Sequence, residues 1–251
     1  NKKVYDVAYY LIHSLGDTST TLKEYELRSV GCFILVSSLC QVRQIVYLGG
    51  ISNVPKLSSH LLARKVVKDV IVNSGIPYTI FEAGIIVGSG SVSFEIIRDL
   101  TEKLPVMVVP RWLNSKCQPI AIRNVINYLF RCLRDENTYF RTFEIGGPDV
   151  LSYKQMLLDF AEVRGYKRYI IAMPVVFPGL SAYWLYLTTS ANFTIAKQLV
   201  ESMKNDVICQ ENSIQDIIPQ ELISYKDAIR MAFMRIKQNM VVSSWTDAAS
   251  S

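Results

Sequence analysis

Residues 44–84 read QIVYLGGISNVPKLSSHLLARKVVKDVIVNSGIPYTIFEAG, and this stretch decides the fold. Gln44 to Leu48 is a short apolar run closed by Gly49-Gly50, the pattern of a buried strand that ends in a tight turn. Ser58 or Ser59 then serves as a helix cap, and Leu61, Leu62, Val66, Val70 and Ile71 form an apolar stripe at helical spacing. Asn73-Ser74-Gly75 stops that helix. Ile76 to Phe81 is a second buried strand, ending at Glu82-Ala-Gly-Ile-Ile-Val-Gly-Ser-Gly90.

The same alternation runs outward in both directions. Upstream, Val7 to Ile12 reads as a strand, and Lys23 to Leu39 reads as a helix with apolar residues at Leu27, Val30, Ile34 and Leu35. Downstream come a helix from Phe94 to Glu102, an apolar strand from Val106 to Val109, and a turn leading into an amphipathic helix in CQPIAIRNVINYLFRCL. Thr142-Phe-Glu-Ile-Gly-Gly-Pro148 closes a further strand, Leu151-Ser152-Tyr153 opens a helix that ends at Arg164-Gly165, and Ser224 to Gln238 is again amphipathic. Strand and helix in strict turn argue an α/β protein with a parallel sheet covered by helices on both faces. No internal repeat is present, and the closing SSWTDAASS reads as a linker.

The chain of 251 residues is 50% hydrophobic, enough for one good core or a core with a small satellite. Lys and Arg number 27 against 22 Asp and Glu, and the basic residues are scattered, with no stripe and no interleaved aromatics, which gives no case for nucleic acid. The five cysteines have no CxxC spacing and the chain holds two histidines. A metal site is therefore not expected, and a reducing, cytoplasmic compartment is. Asn192-Phe-Thr194 is a lone glycosylation sequon with no signal peptide beside it, and it reads as chance.

Tyr169 to Ala196 contains no charged residue, but Pro174, Pro178 and Gly179 interrupt it, against the roughly 20 unbroken apolar residues of a spanning helix. A lid over an apolar pocket, or a segment lying on a membrane surface, is the expected use.

AYYLIHSLG, QIVYLGGI, SGIPYTIFEAGIIVGSGS, CQPIAIRNVINYL and RTFEIGGPDVLSYKQML, in this order and at these intervals, resemble the atypical short-chain dehydrogenase/reductase group. The nearest likenesses are the NmrA-like NAD(P)-binding proteins and the nucleotide-sugar-epimerase-like proteins, among them the complex I accessory subunit that carries NADPH. The resemblance covers Val4 to Trp245. It implies a Rossmann-like doubly wound parallel sheet in residues 1–150, a smaller, mostly helical substrate or lid region in 151–240, and a linker in 241–251.

The family's sheet opens with a strand, Gly-x-x-Gly-x-x-Gly and a helix that together hold the cofactor pyrophosphate. That motif does not occur here. AYYLIHSLG resembles the family's fourth strand, so the expectation is that the first three strands are missing and that Val7 to Ile12 stands as an open apolar edge, covered by those strands or by another chain.

In catalytic members a Tyr-x-x-x-Lys places a phenol and an ammonium one helical turn apart, the lysine lowering the phenol's pKa and holding the nicotinamide ribose. The aligned positions here are His60 and Arg64. His60 is a candidate proton donor or a plain helix-start histidine, Arg64 a ribose-binding or structural cation, and Lys65 a solvated helix residue. The serine expected near the preceding strand is replaced by Gly50.

Because cofactors lie outside the carboxyl ends of such strands, the resemblance points to His13, Ser14 and Leu15, to Gly49 and Gly50, and to Ala83, Gly84, Ile85 and Ile86 as cofactor-side residues. On the substrate side it points to Ser93, Phe94, Arg111, Trp112 and Gln118, with Tyr183 and Trp184 in the uncharged wall. An apolar wall with one arginine suits a lipid-like or quinone-like molecule with an anionic or carbonyl end.

The function implied is an NAD(P)-binding oxidoreductase-like protein with degenerate catalytic residues. Two alternatives stand beside it: a non-catalytic accessory subunit of a membrane-associated complex, and a nucleotide-sugar epimerase or dehydratase, which the missing tyrosine disfavours. The implied partners are a dinucleotide, NADP or NAD, and an unknown small molecule, with peripheral membrane or protein-complex contact in the second reading.

Overall fold

The computed structural model describes residues 4–12, 19–53, 59–173 and 203–238. In chain order its elements are β1 (Val7–Tyr10), α1 (Ser19–Leu39), β2 (Gln44–Gly50), α2 (Ser59–Val72), β3 (Tyr78–Ala83), β4 (Ile86–Val87), α3 (Val92–Lys103), β5 (Val106–Pro110), β6 (Lys116–Cys117), β7 (Ile120–Ala121), α4 (Ile122–Arg131), β8 (Arg141–Ile145), β9 (Leu151–Ser152), α5 (Tyr153–Val163), β10 (Tyr169–Met173), α6 (Ile214–Ile217) and α7 (Tyr225–Lys237). They form two compact units that interleave along the chain: Asn1–Ala83, Val125–Ile145 and Cys209–Glu221 in the first, and Gly84–Asn124, Gly146–Ile208 and Leu222–Ser251 in the second.

The first unit is built on a parallel sheet of order β1-β2-β3-β8. All six residues of β3 are buried, as expected of a strand that reads apolar on both faces. On one face Tyr10, Val30, Ile45, Tyr47, Val67, Ile71, Tyr78 and Ile80 form a buried cluster with α1 and α2. On the other, Phe81 stacks against its register partner Phe143 at 6.0 Å and against Tyr128 of α4 at 5.9 Å.

The buried Gln44 closes the lower end of this sheet. Its Nε2 donates to Thr79 Oγ1 and to Cys132 O, both at 2.9 Å, and its Oε1 accepts from Arg134 N at 2.8 Å, so a polar group in the core keeps every hydrogen bond it needs.

Boundaries shift where backbone chemistry overrides hydropathy. The run from Ile76 to Phe81 becomes a strand only from Tyr78, since Pro77 accepts from Ile45 N but has no N–H to donate. The helix read from Phe94 begins at Val92, because the Ser91 hydroxyl accepts from Phe94 N at 3.2 Å and caps it. Ser152 and Ser224 cap α5 and α7 in the same way. The stretch read as a turn before α4 holds the two short strands β6 and β7. Gly75, at the end of α2, has φ +75°, the left-handed conformation that terminates helices.

The second unit pairs β4 with β7 and β5 with β10 in parallel and β6 with β9 antiparallel. Its core is a three-ring cluster of Phe94, Phe160 and Phe233, with centroids 5.5 to 5.6 Å apart, where α3, α5 and α7 meet. Gly147 donates to Pro119 O at 3.0 Å, and a Cβ at this position would lie 2.2 Å from that oxygen, so only glycine fits.

Candidate functional site

In a parallel sheet all strands end at the same edge, and in the first unit that edge is formed by Gly49-Gly50, Ala83 and Ile145. Ile51 N donates to Ala83 O at 3.1 Å, carrying the chain off β2. Glu82 and Glu144 are register partners on adjacent strands, so their carboxylates share a face. Glu82, 5% exposed, accepts from Ser52 Oγ and from Lys68 Nζ, each at 3.0 Å. Glu144 accepts from Asn53 Nδ2 at 2.9 Å and from Gln210 N at 2.6 Å. The two residues that follow the Gly49-Gly50-Ile51 turn are thus each tied to a carboxylate. Lys68 supplies the cation that pairs with the buried Glu82.

Behind this edge sits a second charged group. A Cβ at Gly50 would lie 2.9 Å from Leu61 Cδ2 and 3.4 Å from Arg64 Cδ, so the glycine permits α2 to close on the strand end. Arg64 Nε is fully enclosed without a hydrogen-bond partner, while Tyr47 donates its hydroxyl to Arg64 O at 3.3 Å. Burial lowers the Arg64 pKa, opposed by Tyr47 and by Glu26, a buried residue of α1. Burial also raises the Tyr47 phenol far above its usual range, the Arg64 charge pulling the other way.

Of the cofactor-side residues, Gly50 and Arg64 are brought together, and Gly49 lies beside Tyr47, whose ring a Cβ there would meet at 3.0 Å. His60 stands in the first turn of α2, one turn before Arg64, and its side chain lies outside the described set. His13, Ser14 and Leu15, like Tyr183 and Trp184, fall outside the described residues.

In the second unit Gly84 and Gln118 are neighbours: a Cβ at Gly84 would be 3.7 Å from Gln118 O, and Ile85 O accepts from Ile120 N at 2.9 Å. Ile86 opens β4. Gln118 donates from Nε2 to Gly147 O at 2.7 Å. Ser93 is in the first turn of α3, and Phe94, 3% exposed, belongs to the three-ring core instead of a pocket wall. Arg111 and Trp112 open a short 3-10 turn, their side chains undescribed.

Sequence reasoning passed over Glu82, Glu144, Lys68, Ser52 and Asn53. A signal was present: Phe81-Glu82-Ala83-Gly84 and Phe143-Glu144-Ile145-Gly146 are two copies of Phe-Glu-x-Gly at the ends of paired strands. Among the described residues no cluster of His, Cys, Asp and Glu has the makings of a metal site, and no helix is long and apolar enough to cross a membrane.

No protein-family model and no curated protein sequence matches the chain. Solved structures do. A nucleoside-diphosphate-sugar epimerase from Staphylococcus aureus aligns with a TM-score of 0.70 at 12% identity, over 91% of this chain and 77% of its own. The Citrobacter sp. triphenylmethane reductase complexed with NADP(H) gives 0.69 at 14% identity, over 92% and 78%. The UDP-glucuronic acid 4-epimerase from Bacillus cereus in complex with NAD gives 0.67 at 11% identity, over 93% and 74%. At such identities the likeness is one of fold. The chain has the α/β, Rossmann-like fold shared by nucleotide-sugar epimerases and NmrA-like reductases, the atypical short-chain dehydrogenase/reductase fold that its sequence resembles.

Proposed function

We propose that this chain forms the nicotinamide and substrate side of an NAD(P)-binding, atypical short-chain dehydrogenase/reductase-like protein in which proton transfer is degenerate. The observation that carries the reading is the Arg64 environment. The cation stands in the Tyr-x-x-x-Lys lysine's place on the helix after β2, packed against Gly50 with its Nε enclosed and without a hydrogen-bond partner, and Gly50 replaces the serine that would polarise a carbonyl. Such a site orients a dinucleotide and turns it over slowly.

The fold's relatives complexed with NADP(H) and NAD support the cofactor class. The substrate side draws on Ser93, Gln118, Arg111 and Trp112, with a small apolar molecule as ligand. The Gly-x-x-Gly-x-x-Gly turn that holds the pyrophosphate in the group does not occur in these 251 residues. The test is a single-turnover assay with NADPH and a quinone panel. Binding, seen as NADPH fluorescence enhancement, with oxidation at least 100-fold slower than in a Tyr-x-x-x-Lys enzyme, fits the reading. Oxidation at an enzyme's usual rate overturns the degenerate assignment.

A second reading, a non-catalytic subunit of a membrane-associated assembly, is favoured by one observation: the exposed Val4, Leu11 and Ile12 around the β1 edge. Extraction of the native protein by salt alone, without detergent, counts against that reading.

A further inference from the structure

The register of β2 with β3 and of β3 with β8 puts Gly49, Glu82 and Glu144 in one row across three strands. Register partners carry their side chains on the same face of a sheet, and Lys68 of α2, 3.0 Å from Glu82, marks it as the face that α2 covers. The row's first member has no side chain, and a Cβ there would meet the Tyr47 ring at 3.0 Å. Its other two members are carboxylates.

The chain leaving β2 answers this row one residue at a time. Ile51, 1% exposed, donates its N–H to Ala83 O, at the end of β3, at 3.1 Å. Ser52 Oγ donates to Glu82 Oε1 at 3.0 Å. Asn53 Nδ2 donates to Glu144 Oε1 at 2.9 Å, one strand further across. Residues 51–53 therefore run over the carboxyl ends of β3 and β8 as a strap. Each carboxylate gives its second oxygen to an anchor outside the strap: Glu82 Oε2 accepts from Lys68 Nζ at 3.0 Å, and Glu144 Oε2 from Gln210 N at 2.6 Å. All of these residues belong to the first unit.

The two clasps differ in kind. Glu82 is buried and ion-paired, so its loss costs stability first. Glu144 is half-buried and takes two uncharged donors, so its loss frees the strap more than it harms the core. Ligands of open parallel sheets lie outside the carboxyl ends of the strands, where the strap runs and where Gly49 and Gly50 leave β2. We propose that Glu144 is a positioning residue for the dinucleotide: by holding Asn53 and the Gln210 backbone together it fixes the strap, and with it the Gly49-Gly50 turn, before the ligand arrives. A turn held beforehand spares binding the cost of ordering it. Glu144 acts through Asn53 and not on the ligand. What the turn receives rests on the cofactor reading above; how the turn is held follows from these distances.

The test exchanges donor and acceptor. Asn53→Asp sets a second carboxylate against Glu144 and is expected to free the strap. Adding Glu144→Gln restores the contact with its polarity reversed: the new amide nitrogen donates to the new carboxylate, and the amide oxygen still accepts from Gln210 N. Amide hydrogen exchange, followed by NMR in the 251-residue chain, reads the strap at Ile51 and the far end of β2 at Ile45, whose N–H donates to Pro77 O at 2.8 Å. Asn53→Asp is expected to speed Ile51 exchange by about tenfold or more and to leave Ile45 within about twofold, the pattern of local opening. The double variant is expected to return Ile51 to within about threefold of wild type. NADPH fluorescence titration is expected to follow the same order, with Kd raised about fivefold or more by Asn53→Asp and recovered in the double variant. Should Asn53→Asp fail to fold, Asn53→Ala removes the same bond without the added charge.

Unchanged Ile51 exchange in Asn53→Asp, an equal acceleration at Ile45, or no recovery in the double variant would each overturn the positioning role while leaving NADPH binding by the wild type untouched. A wild-type protein that takes up no NADPH overturns the cofactor reading, and Glu144's part in it, whatever the exchange rates show.

Discussion

With Lys68 Nζ and Ser52 Oγ each 3.0 Å from Glu82, replacing that glutamate by alanine strands a cation whose side chain is 24% exposed and releases the turn after β2. The pair lies between a surface and a buried salt bridge, so the expected loss is about 2 kcal/mol, read by urea denaturation. Lys68→Met in the Glu82→Ala background, which removes the stranded cation, is expected to restore part of it.

The thiols make a pH prediction. Burial pushes Cys117 and Cys132 up to about 12, so the folded protein holds their protons after the unfolded chain has released them. The sign follows: the native state binds more protons above pH ~9, and stability falls as pH rises from there to about 12, by up to about 1.4 kcal/mol per pH unit per thiol. Equilibrium unfolding at pH 8 and pH 10.5 reads this slope. Cys32, exposed on α1, is expected to label with a maleimide at neutral pH while Cys117 and Cys132 do so only after unfolding.

Elements follow from sequence where one force dominates. The strands of 44–84 are apolar throughout and the helix between them carries one stripe, so β2, α2 and β3 were legible within two residues. Legibility failed where a decision depended on partners distant in the chain. Phe94 has the look of a pocket aromatic until Phe160 and Phe233, far along the sequence, close around it. Glu82 and Glu144 become one site only through β3–β8 pairing, although their shared Phe-Glu-x-Gly was visible beforehand.

Two predictions belong at this scale. Phe94→Ala removes one ring from a three-ring core and is expected to cost about 3–5 kcal/mol. Gly147→Ala drives a Cβ into the Pro119 carbonyl at 2.2 Å, displacing backbone, and is expected to cost about 1–3 kcal/mol or more. Both are read as shifts of the denaturation midpoint, and Gly147→Ala should also loosen Gln118, whose Nε2 bonds to the same residue's carbonyl.

For the whole molecule, the alternation of elements carried the fold, and ordered short motifs carried the group it resembles, at identities of 11 to 14% to the epimerase and reductase structures described above. The site was less legible: on the sequence reading, the tyrosine, lysine and serine on which the group's chemistry rests fall at positions that hold His60, Arg64 and Gly50. What the residues show instead is that Arg64 packs against Gly50 with its Nε enclosed and that the strand-end turn is held by carboxylates.

The central claim is that this fold has kept a dinucleotide as its ligand. It is tested by calorimetric titration of NADPH and NADH into two proteins: the 251-residue chain, and the same chain carrying a glycine-rich strand and helix at its N-terminal side. Saturable binding to the extended protein, with weak or no binding to the chain alone, is the result expected. If neither protein, shown to be folded, takes up either nucleotide at millimolar concentration, the claim is contradicted.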